Sequence, residues 1–137
     1  MNGLVADASV LFKCLLPEPG SIQARRLMEH VSPLAAPETV IAECANAIWK
    51  RVHRGLLSTA RAVELQDELL AIPLDVRSIT ALTPSALTLS LELDHPIYDC
   101  YYLAAAIEND CALATADERL YELAQRVGFG ERAILVR

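Results

Sequence analysis

Short apolar segments alternate with longer segments of helical pattern along almost the whole chain. Each strand is separated from the next by at least one helix, so neighbouring strands in the sheet are expected to run parallel. The alternation predicts an α/β fold, a three-layer α/β/α sandwich around a central, mostly parallel sheet, as one domain over residues 1–137. The predicted strands are residues 4–6, 34–36, 74–76, 112–115 and 134–136.

Helical patterns fill the intervals between these strands. Ser21 and Ser58 are predicted N-caps, and Thr83-Pro84 is predicted to open or kink its helix. The segment 98–109 is apolar nearly all round, which predicts a buried helix. The predicted helices are residues 21–31, 38–54, 59–71, 83–93, 98–109 and 117–127.

Composition limits the kinds of partner that the chain can bind. Hydrophobic residues make up 53% of the 137 residues and charged residues 22%, which excludes a disordered chain. Twelve Lys and Arg stand against eighteen Asp and Glu, for a net charge of -6. A broad basic surface for nucleic acid is therefore excluded, and a bound polyanion would need local Arg clusters or a metal ion.

The sequence predicts a cytoplasmic protein without a membrane segment. The start, MNGLVADASV, lacks the basic region of a signal peptide, and the longest uncharged stretch, 78–91, is too short and too polar to span a bilayer. The four cysteines contain no C-x-x-C pair and lie in apolar runs. We expect them to be reduced core residues.

Four acids occupy the positions where a parallel sheet gathers ligand chemistry, the carboxyl ends of its strands. Asp7 follows the first predicted strand and Asp117 follows the fourth, while Asp99 lies in the first turn of the buried helix and Glu43 lies one turn into the long helix. Singly, each has a structural interpretation. Asp7 suits an Asx-turn, Asp99 and Asp117 suit N-caps, and Glu43 suits a solvated surface.

The four acids together favour a metal site. Asp99 opens a helix that is nearly all core, and a carboxylate entering a core needs a partner. No Lys or Arg occurs between Arg77 and Arg119 to serve locally. Converging carboxylates repel one another, and a divalent cation removes that conflict. Ligation by oxygen alone suits Mg²⁺, with Mn²⁺ as a substitute.

The long helix carries one polar stripe with acid at one end and base at the other. This pattern predicts metal binding at the acidic end and contacts to phosphates at the basic end, from Lys50, Arg51 and Arg54. On periodicity alone, an ordinary solvated face is the simpler interpretation. The stripe consists of Thr39, Glu43, Asn46, Lys50 and Arg54, at steps of three and four residues.

Other aromatic and imidazole side chains have structural interpretations. Tyr98, Tyr101 and Tyr102 lie on the buried helix, so at least two of them are expected to face the core rather than stack on bases. The three histidines lack zinc-like spacing, and we expect them to be structural or surface residues. They are His30, His53 and His95.

Four stretches in this order make the chain resemble PIN-domain proteins. They are VADASVLFKCLLPEPGS, IAECANAIWKR, HPIYDCYYLAAA and LATADERL. The closer resemblance is to the VapC-type ribonuclease toxins of toxin–antitoxin pairs, and it covers essentially the whole chain. It implies a Mg²⁺-dependent endoribonuclease, a cognate antitoxin as partner and a homodimer.

The resemblance also assigns roles by position. Asp7, Glu43, Asp99 and Asp117 match the acids that hold metal and carry catalysis. In addition, Ser9 and Asn46 match polar supports of the site, and Thr115 matches a hydroxyl position near the metal. None of the matching acids is missing from the sequence.

Two other functions remain open from the sequence. A receiver-like phosphoacceptor domain is also a parallel α/β fold with acids and Mg²⁺, but it needs an acidic pair at the first strand and a late Lys. Here Asp7 stands alone, and the lysines, Lys13 and Lys50, come early. The second alternative is a PIN fold that binds a partner without cutting RNA, which the full set of acids argues against.

Overall fold

The structure is a computed structural model that describes residues 3–137. Within that part of the chain, five strands form one sheet: β1 (Leu4–Ala6), β2 (Leu34–Pro37), β3 (Asp75–Arg77), β4 (Ala112–Thr115) and β5 (Ala133–Leu135). Their order is β3-β2-β1-β4-β5, and every neighbouring pair is parallel. The predicted α/β sandwich is confirmed, with a sheet that is wholly parallel.

The helices pack on both faces of this sheet. Right-handed crossovers place the helices between β1 and β3 on one face and those between β3 and β5 on the other. Strand order reverses between β1 and β4, and such a reversal leaves a crevice at the carboxyl edge of the sheet. The helices are α1 (Ala8–Leu15), α2 (Ser21–His30), α3 (Thr39–His53), α4 (Thr59–Leu70), α5 (Ile79–Leu93), α6 (Ile97–Glu108) and α7 (Glu118–Arg126).

Helix α1 is the element that the sequence did not predict. It starts immediately after β1, and Asp7 is its N-cap. Val10, Leu11, Phe12 and Leu15 are all buried, so the segment shows no clear division into an apolar and a polar face. Burial on more than one side removed the periodicity by which a helix is recognised.

One predicted N-cap, that of α2, and one predicted helix start, that of α5, are wrong, although α2 does begin at residue 21 as predicted. The N-cap of α2 is Gly20, with a φ of 90°, and Ser21 is the first helical residue; its hydroxyl instead donates to the carbonyl of Leu16. Helix α5 begins before Thr83, at a cap made by Ser78, and Pro84 lies inside it. The predicted cap of α4 is confirmed, since the Ser58 side chain accepts from the Arg61 amide.

The core is aliphatic and centres on β1, β4 and α6. Tyr102 is only 3% exposed and Tyr101 packs against the core, as predicted for two of the three tyrosines, whereas Tyr98 is 75% exposed. Cys44, Cys100 and Cys111 are buried and Cys14 is half-buried. Among residues 3–137, no helix is long and apolar enough to cross a membrane.

Candidate active site

Asp7 is a buried carboxylate at the junction of β1 and α1, with 6% of its surface exposed. Its Oδ1 accepts hydrogen bonds from the Val10 amide, at 3.1 Å, and from the Ser9 hydroxyl, at 2.5 Å, while Oδ2 accepts from the Thr115 hydroxyl. Burial raises the pKa of Asp7 to about 6, these three hydrogen bonds oppose the rise, and the charge of Asp117 adds to it. Asp7 is therefore held in place by protein donors but is costly to ionise.

The turn after β4 is tied to Asp7 through the same two hydroxyls. The Ala116 amide donates to the Ser9 oxygen and the Asp117 amide donates to the Thr115 oxygen, both at 2.9 Å. Asp117 then serves as the N-cap of α7, and its Oδ1 accepts from the Arg119 amide. This network links Ser9 and Thr115 to Asp7, and it brings Asp117 to the same edge of the sheet as Asp7.

Glu43 reaches the site from α3. The residue as a whole is exposed, but its Oε1 accepts a hydrogen bond of 2.8 Å from the hydroxyl of Tyr102 on α6. Burial of the carboxylate raises the pKa of Glu43, the Tyr102 hydrogen bond lowers it, and the negative charge of Asp99 raises it further. Burial, with the charges of Glu43 and Asp7, raises the pKa of Tyr102, so that its hydroxyl remains a donor.

Asp99 lies in the first turn of α6, where it is not the N-cap; that position belongs to Pro96. Its Oδ2 lies 2.9 Å from Nε2 of His95, one turn earlier. The sequence argument that Asp99 lacked a local partner considered only Lys and Arg, and it is wrong in that respect. His95, expected to be a structural or surface residue, contacts a candidate site acid.

The four acids fall into two electrostatic pairs. The negative charge of Asp117 raises the pKa of Asp7, and the negative charge of Asp99 raises the pKa of Glu43. In the described part of the chain, no three or more His, Cys, Asp or Glu side chains are grouped closely enough to hold a metal ion. The donor set, made of carboxylates, nevertheless fits Mg²⁺ or Mn²⁺ in its chemistry.

A cavity of about 440 Å³ opens beside Glu43, between α1 and α3. Glu43 lines it at one side, and Asn46, Lys50 and Arg51 continue along α3, so part of the predicted polar stripe does face a common space. Arg54 lies at the C-cap of α3, outside this lining.

Glu18 is a cavity residue that sequence analysis missed. Its carboxylate joins two cations, with Oε1 3.0 Å from Nζ of Lys13 and Oε2 2.7 Å from a guanidinium nitrogen of Arg51. The guanidinium also lies 5.3 Å from the ring centre of Phe12, in the range of a cation–π contact. Arg51 is therefore fixed in one place at the mouth of the cavity.

The contacts that sequence analysis missed differ in whether the sequence carries a signal for them. The spacing of His95 and Asp99, four residues apart on entry to a helix, is a local pattern that could have found their contact. Tyr102 and Glu43 are 59 residues apart, and Arg51 and Glu18 are 33 apart. These pairs depend on how the helices pack, so local spacing carries no signal for them.

Comparison with known proteins gives a family and a fold. A protein sequence, Ribonuclease VapC3 of Pyrobaculum aerophilum, is 33% identical over 121 residues, which cover 87% of this chain and 92% of that protein. The crystal structure of PAE2754 from Pyrobaculum aerophilum superposes with a TM-score of 0.69 at 24% identity, over 88% of this chain and 78% of that one. The family model for the PIN domain matches residues 4–126. The chain therefore belongs to the PIN-domain family.

Proposed function

We propose that this protein is a metal-dependent endoribonuclease that hydrolyses RNA phosphodiester bonds as the toxin of a toxin–antitoxin pair. The observation that carries the proposal is Asp7, a buried carboxylate at the reversal of strand order, held by three donors and close enough to Asp117 for that charge to raise its pKa. The name of the 33% identical relative, Ribonuclease VapC3, supports RNA as the substrate.

The acids are proposed to hold Mg²⁺, or Mn²⁺ in its place. Asp7, Glu43, Asp99 and Asp117 would bind it directly or through water. When bound, such an ion neutralises charge on the reacting phosphate and lowers the pKa of water. Ser9 and Thr115 orient Asp7, and the raised pKa of Asp7 means that this carboxylate gains from a neighbouring cation.

The RNA is proposed to enter through the cavity beside Glu43. Lys50 and Arg51 line this cavity and can neutralise phosphates on either side of the bond that is cut. Asn46 supplies an amide at the same wall, and Arg54 extends the positive charge beyond the cavity. Local cations of this kind are what an acidic protein with a net charge of -6 needs in order to hold a polyanion.

Two protein partners belong to the proposal: a cognate antitoxin and a second copy of this chain. Apolar side chains on α5 support the homodimer, because Leu87 is 47% exposed and Leu91 is 74% exposed. We expect the protein to work in the cytoplasm. Helix α3 adds little to such an apolar surface, because Val40 is fully buried in the core and Ala47 is half-buried in the cavity wall.

Cleavage of RNA by the purified protein tests the proposal. We expect cleavage with Mg²⁺ or Mn²⁺, none with chelator, and loss of activity in Asp7→Asn. The matched control is Asp67→Asn, which removes an exposed acid from α4 and should cut RNA normally. Cleavage that persists in chelator would contradict the metal requirement, and equal activity of Asp7→Asn would contradict the site.

The same measurements separate the alternatives. A PIN fold that only binds a partner would bind RNA or antitoxin and leave RNA intact under every condition. A receiver-like domain would instead take up a phosphoryl group on Asp7 from a small phosphodonor. The hydrogen bonds to both oxygens of Asp7 disfavour that role, because they leave the carboxylate little freedom to attack.

A further inference from the structure

Tyr102 on α6 places one polar atom, its hydroxyl oxygen, against Glu43 of the acidic site. Its ring is buried, with 3% of the residue exposed, and its hydroxyl donates to Oε1 of Glu43 at 2.8 Å. The ring fills core space that a phenylalanine ring would fill equally well. The hydroxyl therefore contributes through Glu43 and not through packing.

We propose that Tyr102 is a positioning residue, which holds the carboxylate of Glu43 at the acidic site in the orientation needed to bind a divalent cation. This inference rests on the proposed function. The Tyr102 hydroxyl engages Oε1 from α6, and Thr39 on α3 itself is a second side-chain donor to the same carboxylate. Tyr102 is thus assigned to support a metal ligand from a second helix.

The exposure of Glu43 makes such a support necessary. Glu43 is surface-exposed, so without a partner its long side chain would sample rotamers that point its carboxylate into solvent. The negative charge of Asp99 would also push the Glu43 carboxylate toward solvent, because like charges repel. A donor fixed in the core opposes both effects, since it limits the positions that Glu43 can adopt before a cation binds.

The neighbouring tyrosine provides a matched control. Tyr101 also lies on α6, but its hydroxyl lies 2.7 Å from Oγ1 of Thr83 on α5, and no hydrogen bond links it to the acids. Tyr102→Phe and Tyr101→Phe therefore remove the same atom from the same helix. Only the first removes a donor from the candidate site.

The experiment measures Mn²⁺ affinity by electron paramagnetic resonance, without RNA, in the unsubstituted protein and the two variants. We expect Tyr102→Phe to weaken Mn²⁺ binding about tenfold and Tyr101→Phe to leave it unchanged. In cleavage assays at subsaturating Mn²⁺, raising the Mn²⁺ concentration should restore activity to Tyr102→Phe without a change in KM for RNA. Thermal melts in chelator verify that both variants are folded.

A second variant keeps the test decisive if Tyr102→Phe fails to fold. Glu43→Gln changes an exposed residue, and we expect it to weaken Mn²⁺ binding at least as much. Equal Mn²⁺ affinity in the unsubstituted protein and in either Tyr102→Phe or Glu43→Gln would overturn the positioning role while leaving the proposed nuclease intact. Absence of Mn²⁺ binding by the unsubstituted protein would overturn the proposed metal site and this inference together.

Discussion

Thr115 and Asp7 lie 108 residues apart in the chain, yet the Thr115 hydroxyl donates a hydrogen bond to the carboxylate of Asp7. Both residues are buried, and they stand at the ends of β4 and β1, which pair side by side. The second oxygen of Asp7 is held by Ser9 and the Val10 amide. The candidate site is therefore anchored to β1 and β4, the two strands between which the strand order reverses.

The buried carboxylate of Asp7 should make the stability of the metal-free protein depend on pH. Its pKa is about 6 in the folded chain, against 3.8 for an unperturbed group. Because the folded state holds the proton more tightly, this stabilising contribution is complete below pH 3.8 and is lost as the pH rises through about 6. The loss should amount to roughly 3 kcal/mol at most.

Urea unfolding in chelator, from about pH 4 to about pH 8, measures this effect. Asp7→Asn keeps an N-cap side chain but cannot titrate, so its stability should lack the decline between pH 4 and 6. Asp67→Asn should follow the unsubstituted protein. Parallel curves for all three proteins would show that Asp7 is not the group responsible.

Asp99→Asn should abolish cleavage and keep or raise stability without metal. An asparagine carbonyl can still accept from His95, while the loss of charge relieves repulsion with Glu43. We expect cleavage to fall by at least about 100-fold. Thermal melts with and without Mg²⁺, beside cleavage assays, test both parts. A large loss of stability in chelator would make Asp99 a structural residue.

Arg51→Gln should weaken RNA binding through the loss of one phosphate contact. The comparison is made in an Asp7→Asn background, which should prevent cleavage. There, the plot of log affinity against log salt concentration should become less steep by about 0.7 in Arg51→Gln. The control is Arg61→Gln, whose arginine also pairs with carboxylates, those of Glu64 and Glu68, but on the surface of α4. Fluorescence anisotropy with single-stranded RNA gives both slopes, and equal slopes would place the RNA elsewhere.

Leu91→Lys should weaken the proposed homodimer. Leu91 is 74% exposed on α5, and a charge at the centre of an apolar interface should raise the dimer Kd about tenfold or more. Ile22→Lys is the control, because Ile22 is 69% exposed on α2. Light scattering over a dilution series measures the dissociation. A monomer at every concentration of the unsubstituted protein would refute the dimer itself.

Antitoxin binding and metal binding should compete. By family analogy, the antitoxin lays an apolar helix in a groove and sends an Arg or Lys toward the acids, where it would offset the charge that Mg²⁺ otherwise neutralises. Titration of Mg²⁺ into the complex should therefore weaken it. A complex whose affinity is unaffected by saturating Mg²⁺ would exclude inhibition by charge mimicry.

The sequence was sufficient for features that depend on local pattern. Strands β1 and β4 could be predicted because each is a short apolar run that ends at an acid or a hydroxyl. Helix α1 could not, because several of its sides are buried, and the start of α5 was misplaced because Pro84 usually marks a first turn. A proline inside a helix is tolerated where packing compensates for the lost hydrogen bond.

In the candidate site too, some features could be predicted from the local sequence, while others depend on how the helices pack. The positions of Asp7 and Asp117 follow from strand ends in a parallel sheet. The donors that surround the acids do not, because Tyr102 reaches Glu43 only through the packing of α6 near α3, and Glu18 reaches Arg51 only across the mouth of the cavity. Such contacts are set by tertiary structure, which neither periodicity nor spacing records.

Strand β4 lies inside the sheet but late in the chain, so the candidate site can be completed only near the end of synthesis. Asp7, Glu43 and Asp99 all precede β4, but the hydroxyl that holds Asp7 and the turn that carries Asp117 belong to the residues from Thr115 onward. A growing polypeptide that has passed Asp99 thus has three of the acids but no assembled site until the residues from Thr115 to Asp117 are added. A prematurely released fragment that ends before residue 112 would lack the strand against which β1 must pair, so incomplete products should be inert toward RNA.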